Sequence, residues 1–211
     1  MERQITVKRW MLTGLMLVAT LGSTAMAVET PTYKQVLRDG EFELRDYPAL
    51  VVAEVTVNGD QKEASEKGFR LLAGYIFGGN KKRQSIAMTA PVAQQAASQK
   101  IAMTAPVAQT QSAAGTWIVR FTMPSSWSLQ TLPIPDDSSV KLRNTEPGRF
   151  AVLQFSGLAQ PHDVQTKSRE LLALVKSHDL HAIGPVSLAQ YNPPWTLWFM
   201  RRNEVMVEVK H

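Results

Sequence analysis

Hydrophobic and polar positions along this chain change period in an order that comes round twice. After the turn dipeptide Asp39-Gly40, Phe42, Leu44 and Asp46 alternate with Glu43, Arg45 and Tyr47. That pattern predicts a hairpin over residues 33–47 with two distinct faces, ended by Pro48. The β-branched run over 50–57 predicts a central strand. From 61 to 77 the period lengthens to that of a helix: Ala64, Gly68, Leu71, Leu72 and Tyr75 form one stripe, widened by Phe69 and Ile76. Asn58 or Asp60 can cap its start, and Gly78-Gly79-Asn80 can close its end. Alternation returns at 117–123, at 140–144 and 150–155 around Glu146-Pro147-Gly148, and at 186–191 and 203–209. A second helix is predicted from Pro161 to about His178, with Val164, Ser168, Leu171, Leu172 and Val175 inward. The proline-punctuated stretch 125–135 carries Trp127, Leu129, Leu132 and Ile134, which predicts a loop packed onto the body.

Two repeats organise these elements. Ile86-Ala87-Met88-Thr89-Ala90-Pro91-Val92-Ala93-Gln94 recurs residue for residue at 101–109. Each copy reads as a short strand closed by a proline that cannot donate a ladder hydrogen bond, and the polar link 95–100 reads as a reversing loop. The pair predicts a two-strand ribbon. A weaker repeat relates the helices, whose inward positions are displaced by 100, and matches Phe42-Glu43-Leu44-Arg45 to Val140-Lys141-Leu142-Arg143. The chain therefore reads as two strand–strand–helix–strand halves, neither able to bury its own sheet face. The expected fold is α+β: a pseudo-twofold, curved antiparallel sheet or distorted barrel flanked by two helices. A groove between helix and sheet is the expected ligand site.

The N-terminus changes this picture first. Arg3, Lys8 and Arg9 precede the apolar run 10–21, and Ala25-Met26-Ala27 fits a small-x-small cleavage rule. Residues 1–27 are expected to be a signal peptide, with the mature domain at 28–211, exported to a bacterial periplasm and without a stable membrane span after cleavage. The net charge of +5 is spread along the chain and does not call for a nucleic-acid partner. There is no cysteine, hence no disulfide, thiol nucleophile or thiolate metal site. The four histidines are His162, His178, His181 and His211, and His178/His181 read as solvated residues at a helix end, so no metal site is expected. No nucleophile elbow, phosphate loop or zinc-binding helix motif is present. The segment Tyr191-Asn192-Pro193-Pro194-Trp195-Thr196-Leu197-Trp198-Phe199-Met200, followed by Arg201-Arg202, must either cover the core or line a pocket for a flat apolar ligand.

These motifs together resemble the SOUL/heme-binding protein family. The resemblance rests on the doubled I-A-M-T-A-P-V, on Phe42-Glu43-Leu44-Arg45-Asp46-Tyr47 and on the helix end at Tyr75–Asn80. It extends through Phe155-Ser156-Gly157 to Tyr191-Asn192-Pro193-Pro194 and Arg201-Arg202-Asn203-Glu204-Val205, so it covers residues 31–209. It implies a pseudo-symmetric barrel related to bacterial multidrug-effector-binding domains. It also implies binding of heme or another tetrapyrrole in an apolar groove by the first helix, as a non-catalytic carrier or buffer. On that basis Phe69, Arg70, Leu72, Ile76, Met88 and Met103 are expected at the groove, with Tyr191, Trp195, Trp198, Arg201 and Arg202 from the tail. Asp46 stands where some family members place a histidine, so no strong axial ligand to iron is expected. The competing readings are a hydrolase or tetrapyrrole-modifying enzyme using the same groove, for which Glu66 or Tyr75 would be the titratable groups, and a scaffold without ligand.

Overall fold

The structure, a computed structural model, describes residues 28–82 and 98–210. The expected hairpin forms from β1 (Lys34–Asp39) and β2 (Phe42–Tyr47), with Gly40 at φ +58° in the turn. β3 (Val51–Asn58) leads into α1 (Gln61–Ile76). Asp60 is the cap: its carboxylate accepts from the amides of Lys62 and Glu63, and Glu63 reaches back to the Asp60 amide. The chain continues through β4 (Asn80–Lys81), β5 (Val107–Ala113), β6 (Thr116–Thr122), β7 (Ile134–Pro135), β8 (Lys141–Asn144), β9 (Gly148–Phe155), α2 (Pro161–Ser177), β10 (His181–Ala182), β11 (Ser187–Gln190) and β12 (Asn203–Lys210).

The main sheet runs β1-β2-β9-β12-β11-β5-β6-β3-β8, antiparallel throughout, with β10 also on β12. Apart from β1 and β10, that order is a palindrome under exchange of the two halves, with β5 and β11 paired on the axis. The registers obey the same symmetry. Leu44 faces Ala151 on one flank and Leu142 faces Ala53 on the other, each residue 98 positions from its counterpart. α1 lies over β3 and β6, and α2 over β9 and β12. Each helix seals its own apolar cluster, Leu72, Tyr75 and Ile76 with Val55, Val119 and Phe121, and Leu171 and Val175 with Leu44, Leu153 and Val205.

β2 and β3 are consecutive, yet they stand near opposite ends of the strand path, joined only by residues 48–50. β8 and β9 repeat this across residues 145–147. A chain advances at most about 3.3–3.6 Å per residue, so links this short force the sheet to curl until its ends approach. The two links bond to each other: Thr145 N donates to Leu50 O at 2.8 Å and Leu50 N to Thr145 Oγ1 at 3.0 Å. The helix-free face becomes an interior, which is why Val52, Val152 and Glu204 are 1% exposed or less with no helix above them.

Three expectations change. Ile101–Pro106 of the second repeat copy is not a strand; β5 begins at Val107, after Pro106 has broken the ladder, and the first copy lies outside the described residues. Phe77 caps α1 rather than belonging to it. Leu172 is 42% exposed, whereas its counterpart Leu72 is fully buried. At the matching position of the two helices, a Cβ on Gly68 would stand 2.4 Å from Val119, so glycine lets α1 settle onto β6, whereas α2 carries Ser168 there.

Candidate functional site

Inside the curled sheet, β2 and β12 bring together a polar network. The Arg45 guanidinium donates to both carboxylate oxygens of Glu204, at 2.9 and 3.0 Å, and through Nε to Glu43 at 2.7 Å. Tyr191 donates its hydroxyl to Glu204 at 2.6 Å, and Arg202 donates to the same carboxylate at 2.6 Å. Rings cover the cations: Arg45 sits 4.4 Å from the Tyr33 centroid and Arg202 4.1 Å from that of Tyr191. Burial pushes the Glu204 carboxyl up, but hydrogen bonds and charge from Arg45, with Tyr191 and Arg202, outweigh it and hold the group below the usual carboxylate range. Burial, with the adjacent Glu204 charge, pushes the Tyr191 hydroxyl up. A bidentate pair with every oxygen satisfied and no charge in excess is a structural clamp.

The residues expected at a ligand groove divide between two places. On α1, Phe69 is 39% exposed and packs edge-on against Phe121 at 5.5 Å between centroids. Arg70 and Lys67 are exposed and make no ion pair among the described residues. Met103 is half-buried against the same cluster. Leu72 and Ile76 are sealed within it, so they support the surface from beneath rather than lining it. Met88 lies outside the described residues. Tyr75, a possible titratable group, is buried with its hydroxyl donating to Pro133 O at 2.9 Å, and Glu66 is in solvent.

The aromatic tail belongs to the other half. Gly157 N donates to Trp198 O, and Asn203 Nδ2 to Gly157 O, tying the tail to the β9–α2 connection. Gly59 N donates to Gly115 O at the symmetry-related place. Trp195 is 82% and Trp198 60% exposed, so neither covers the core. Arg201 and Arg202, expected at a pocket mouth, both have partners within this chain. Arg202 is held by Glu204, and Arg201 donates to the carbonyls of Thr196 and Pro194. Asp46 is locked to Arg149 by hydrogen bonds of 2.7 and 2.9 Å that hold its carboxyl below the usual range. His178 stacks on Phe42 at 4.7 Å with Nδ1 2.9 Å from Leu174 O, while His162 and His181 are exposed and His211 lies outside the described residues.

The clamp went unread in the sequence because Arg45 and Glu204 are 159 residues apart and sit on strand faces that alternation marks as outward. Glu43-x-Arg45 on one face of a short strand was the available signal.

A family model described as SOUL heme-binding protein matches residues 28–99 and 93–208. Heme-binding protein 2 of Mus musculus is 27% identical over 207 residues, covering 90% of this chain and 94% of that protein. Heme-binding protein 1 of Xenopus tropicalis is 26% identical over 170 residues, covering 80% and 84%. Among solved structures, the C-terminal domain of EcmrR matches with a TM-score of 0.53 at 10% identity, over 84% of this chain and 98% of that one. A hydrolase from Listeria innocua matches with a TM-score of 0.52 at 12% identity, over 83% and 94%. At such identities the structural likeness concerns the fold alone: two helices on a large antiparallel sheet. The family match runs through both halves, from before β1 nearly to the end of β12, and the chain belongs to the SOUL heme-binding protein family.

Proposed function

We propose that this protein binds heme or a related tetrapyrrole on the apolar surface beside α1, as a non-catalytic carrier or buffer exported to the periplasm. The observation that carries the reading is the family match across both halves, together with relatives named heme-binding proteins. The α1 surface fits the group. Phe69 offers an exposed ring supported by Phe121, and Arg70 and Lys67 stand on the same helix as basic partners for propionates. Among the described residues no histidine lies on α1, β3 or β6, and Asp46 is engaged by Arg149. Iron then lacks a strong protein ligand, and affinity rests on burying the macrocycle, at about 25 cal/mol per Å² of apolar area before ordering costs. A hydrolase would need an activated titratable group at this surface; Tyr75 is bonded away in the core, and Glu66, exposed on α1, makes no hydrogen bond or ion pair among the described residues that would prime it.

Hemin titration of the mature chain tests the reading. A saturable one-to-one Soret shift is expected, weakened about tenfold by Phe69→Ala and changed less than about threefold when all four histidines become alanine. No saturation at micromolar protein, or loss of the shift on a single histidine substitution in a folded protein, sinks it. For the export reading, the periplasmic fraction of a bacterial host should hold protein beginning at Val28.

A further inference from the structure

Because α1 covers β3 and β6 while α2 covers β9 and β12, the axial pair β5–β11 is left between the helices. A cleft of about 720 Å³ opens there, within the roughly 300–1,000 Å³ usual for small-molecule sites. Trp117, Val164, Val186 and Leu188 give it apolar walls. Gln109 lines it from β5, directly across the ladder from Leu188, which packs under α2, so both side chains lie on the helix-bearing face. Gln109 is 4% exposed, and its Oε1 is the one buried side-chain polar atom among the described residues that has no hydrogen-bond partner. A buried carbonyl left unpaired is costly, and a donor supplied from outside removes that cost.

Three of the cleft's other polar side chains are already committed, while Gln111, His162 and Gln165 are exposed to solvent and Gln61 is half-buried. Asp60 accepts two amides of the α1 first turn at 2.9 Å each. The Ser168 hydroxyl donates to Val164 O at 2.7 Å and that of Ser187 to Met206 O at 3.1 Å. No lysine or arginine lines the cleft. An anion would find no lysine or arginine there and a cation only the Asp60 carboxylate, already shared by two helix amides, whereas a neutral N–H or O–H would find the Gln109 oxygen.

We propose that this cleft is a second binding site, separate from the tetrapyrrole surface, for an uncharged molecule with an apolar body and one hydrogen-bond donor. Four probes sharing one ring system test it on the full mature chain by NMR: naphthalene, 2-naphthol, 2-naphthoate and 2-naphthyltrimethylammonium. The expected result is saturable 2-naphthol binding that shifts the Gln109 side-chain amide and the backbone amides of Gln111, Gln165 and Leu188. Both charged probes should bind at least about tenfold more weakly. Gln109→Leu should weaken 2-naphthol about tenfold, the worth of one neutral hydrogen bond, and leave naphthalene unweakened. Ser168→Trp, which fills the cleft from α2, should abolish binding of both neutral probes while leaving the hemin titration unchanged. The proposal is overturned if a charged probe binds as well as 2-naphthol, if Ser168→Trp binds both neutral probes normally, or if the shifts centre on Phe69 or on residues 195–200. Because hemin is read separately, failure here leaves the tetrapyrrole reading standing, and the reverse.

Discussion

At the scale of single residues, Arg45 and Glu204 decide most. Arg45→Met takes the bidentate partner from buried Glu204, which keeps Arg202 and Tyr191, and the 2.7 Å partner from Glu43, so it should cost up to about 3–5 kcal/mol in urea denaturation. Replacing both, Arg45→Met with Glu204→Leu, should cost clearly less than the sum of the two single changes, because the bonds the two residues share are lost in each single change and only once in the double. The pair also sets an acid limit. Glu204 holds its proton less readily in the folded chain than in the unfolded one, where a carboxyl titrates near about 4.3. Its stabilisation is therefore complete above that value and is lost as pH falls through the lower folded value. Asp46 and Glu54, held down by Arg149 and by Arg143 with Arg120, act in the same direction. Urea midpoints should stay level from pH 7 to about 5 and drop below about 4, with a shallower drop in Arg45→Met. Alternation along β2 was readable from Phe42 to Tyr47, but not that its polar side faces inward. That depends on strand order, which no local pattern records.

Among the elements, α1 was legible almost to the residue, because its stripe, Asp60 cap and closing glycines agree. α2 was legible in place but not in roll, since Leu171 and Leu172 are equivalent apolar positions in its stripe. Gly68 and Gly74 make the packing of α1 measurable. Gly68→Ala should destabilise by about 1–3 kcal/mol through its collision with Val119. Gly74→Ala meets nothing within 4 Å and should stabilise by about 0.5–1 kcal/mol. Thermal melts of the two variants should move in opposite directions. The aromatic tail was legible as unusual but not as to which half it serves. Since its anchors are Gly157 and Asn203, Trp195→Ala should change hemin affinity less than about threefold, against the tenfold loss expected for Phe69→Ala. The second copy of the doubled segment misled because its apolar spacing reads as a strand, whereas Pro106 releases β5 only after the repeat is nearly over.

For the whole molecule, the two-half pattern was readable from the 98- and 100-residue displacements, while the interleaving was not. Each half lends its first strand to the other: β2 pairs with β9, and β8 with β3. This has a consequence for the order of events during synthesis. As the chain leaves the ribosome, β3 can meet β6 early, but β2 keeps a bare edge until β9 is made, and β9 needs β12, the last strand of all. No stopping point before Lys210 yields a completed sheet, and pairings this distant in sequence close slowly. The sheet therefore stays incomplete until nearly the whole chain is made, and its closure is a late, cooperative step. The export proposed above would gain from that delay.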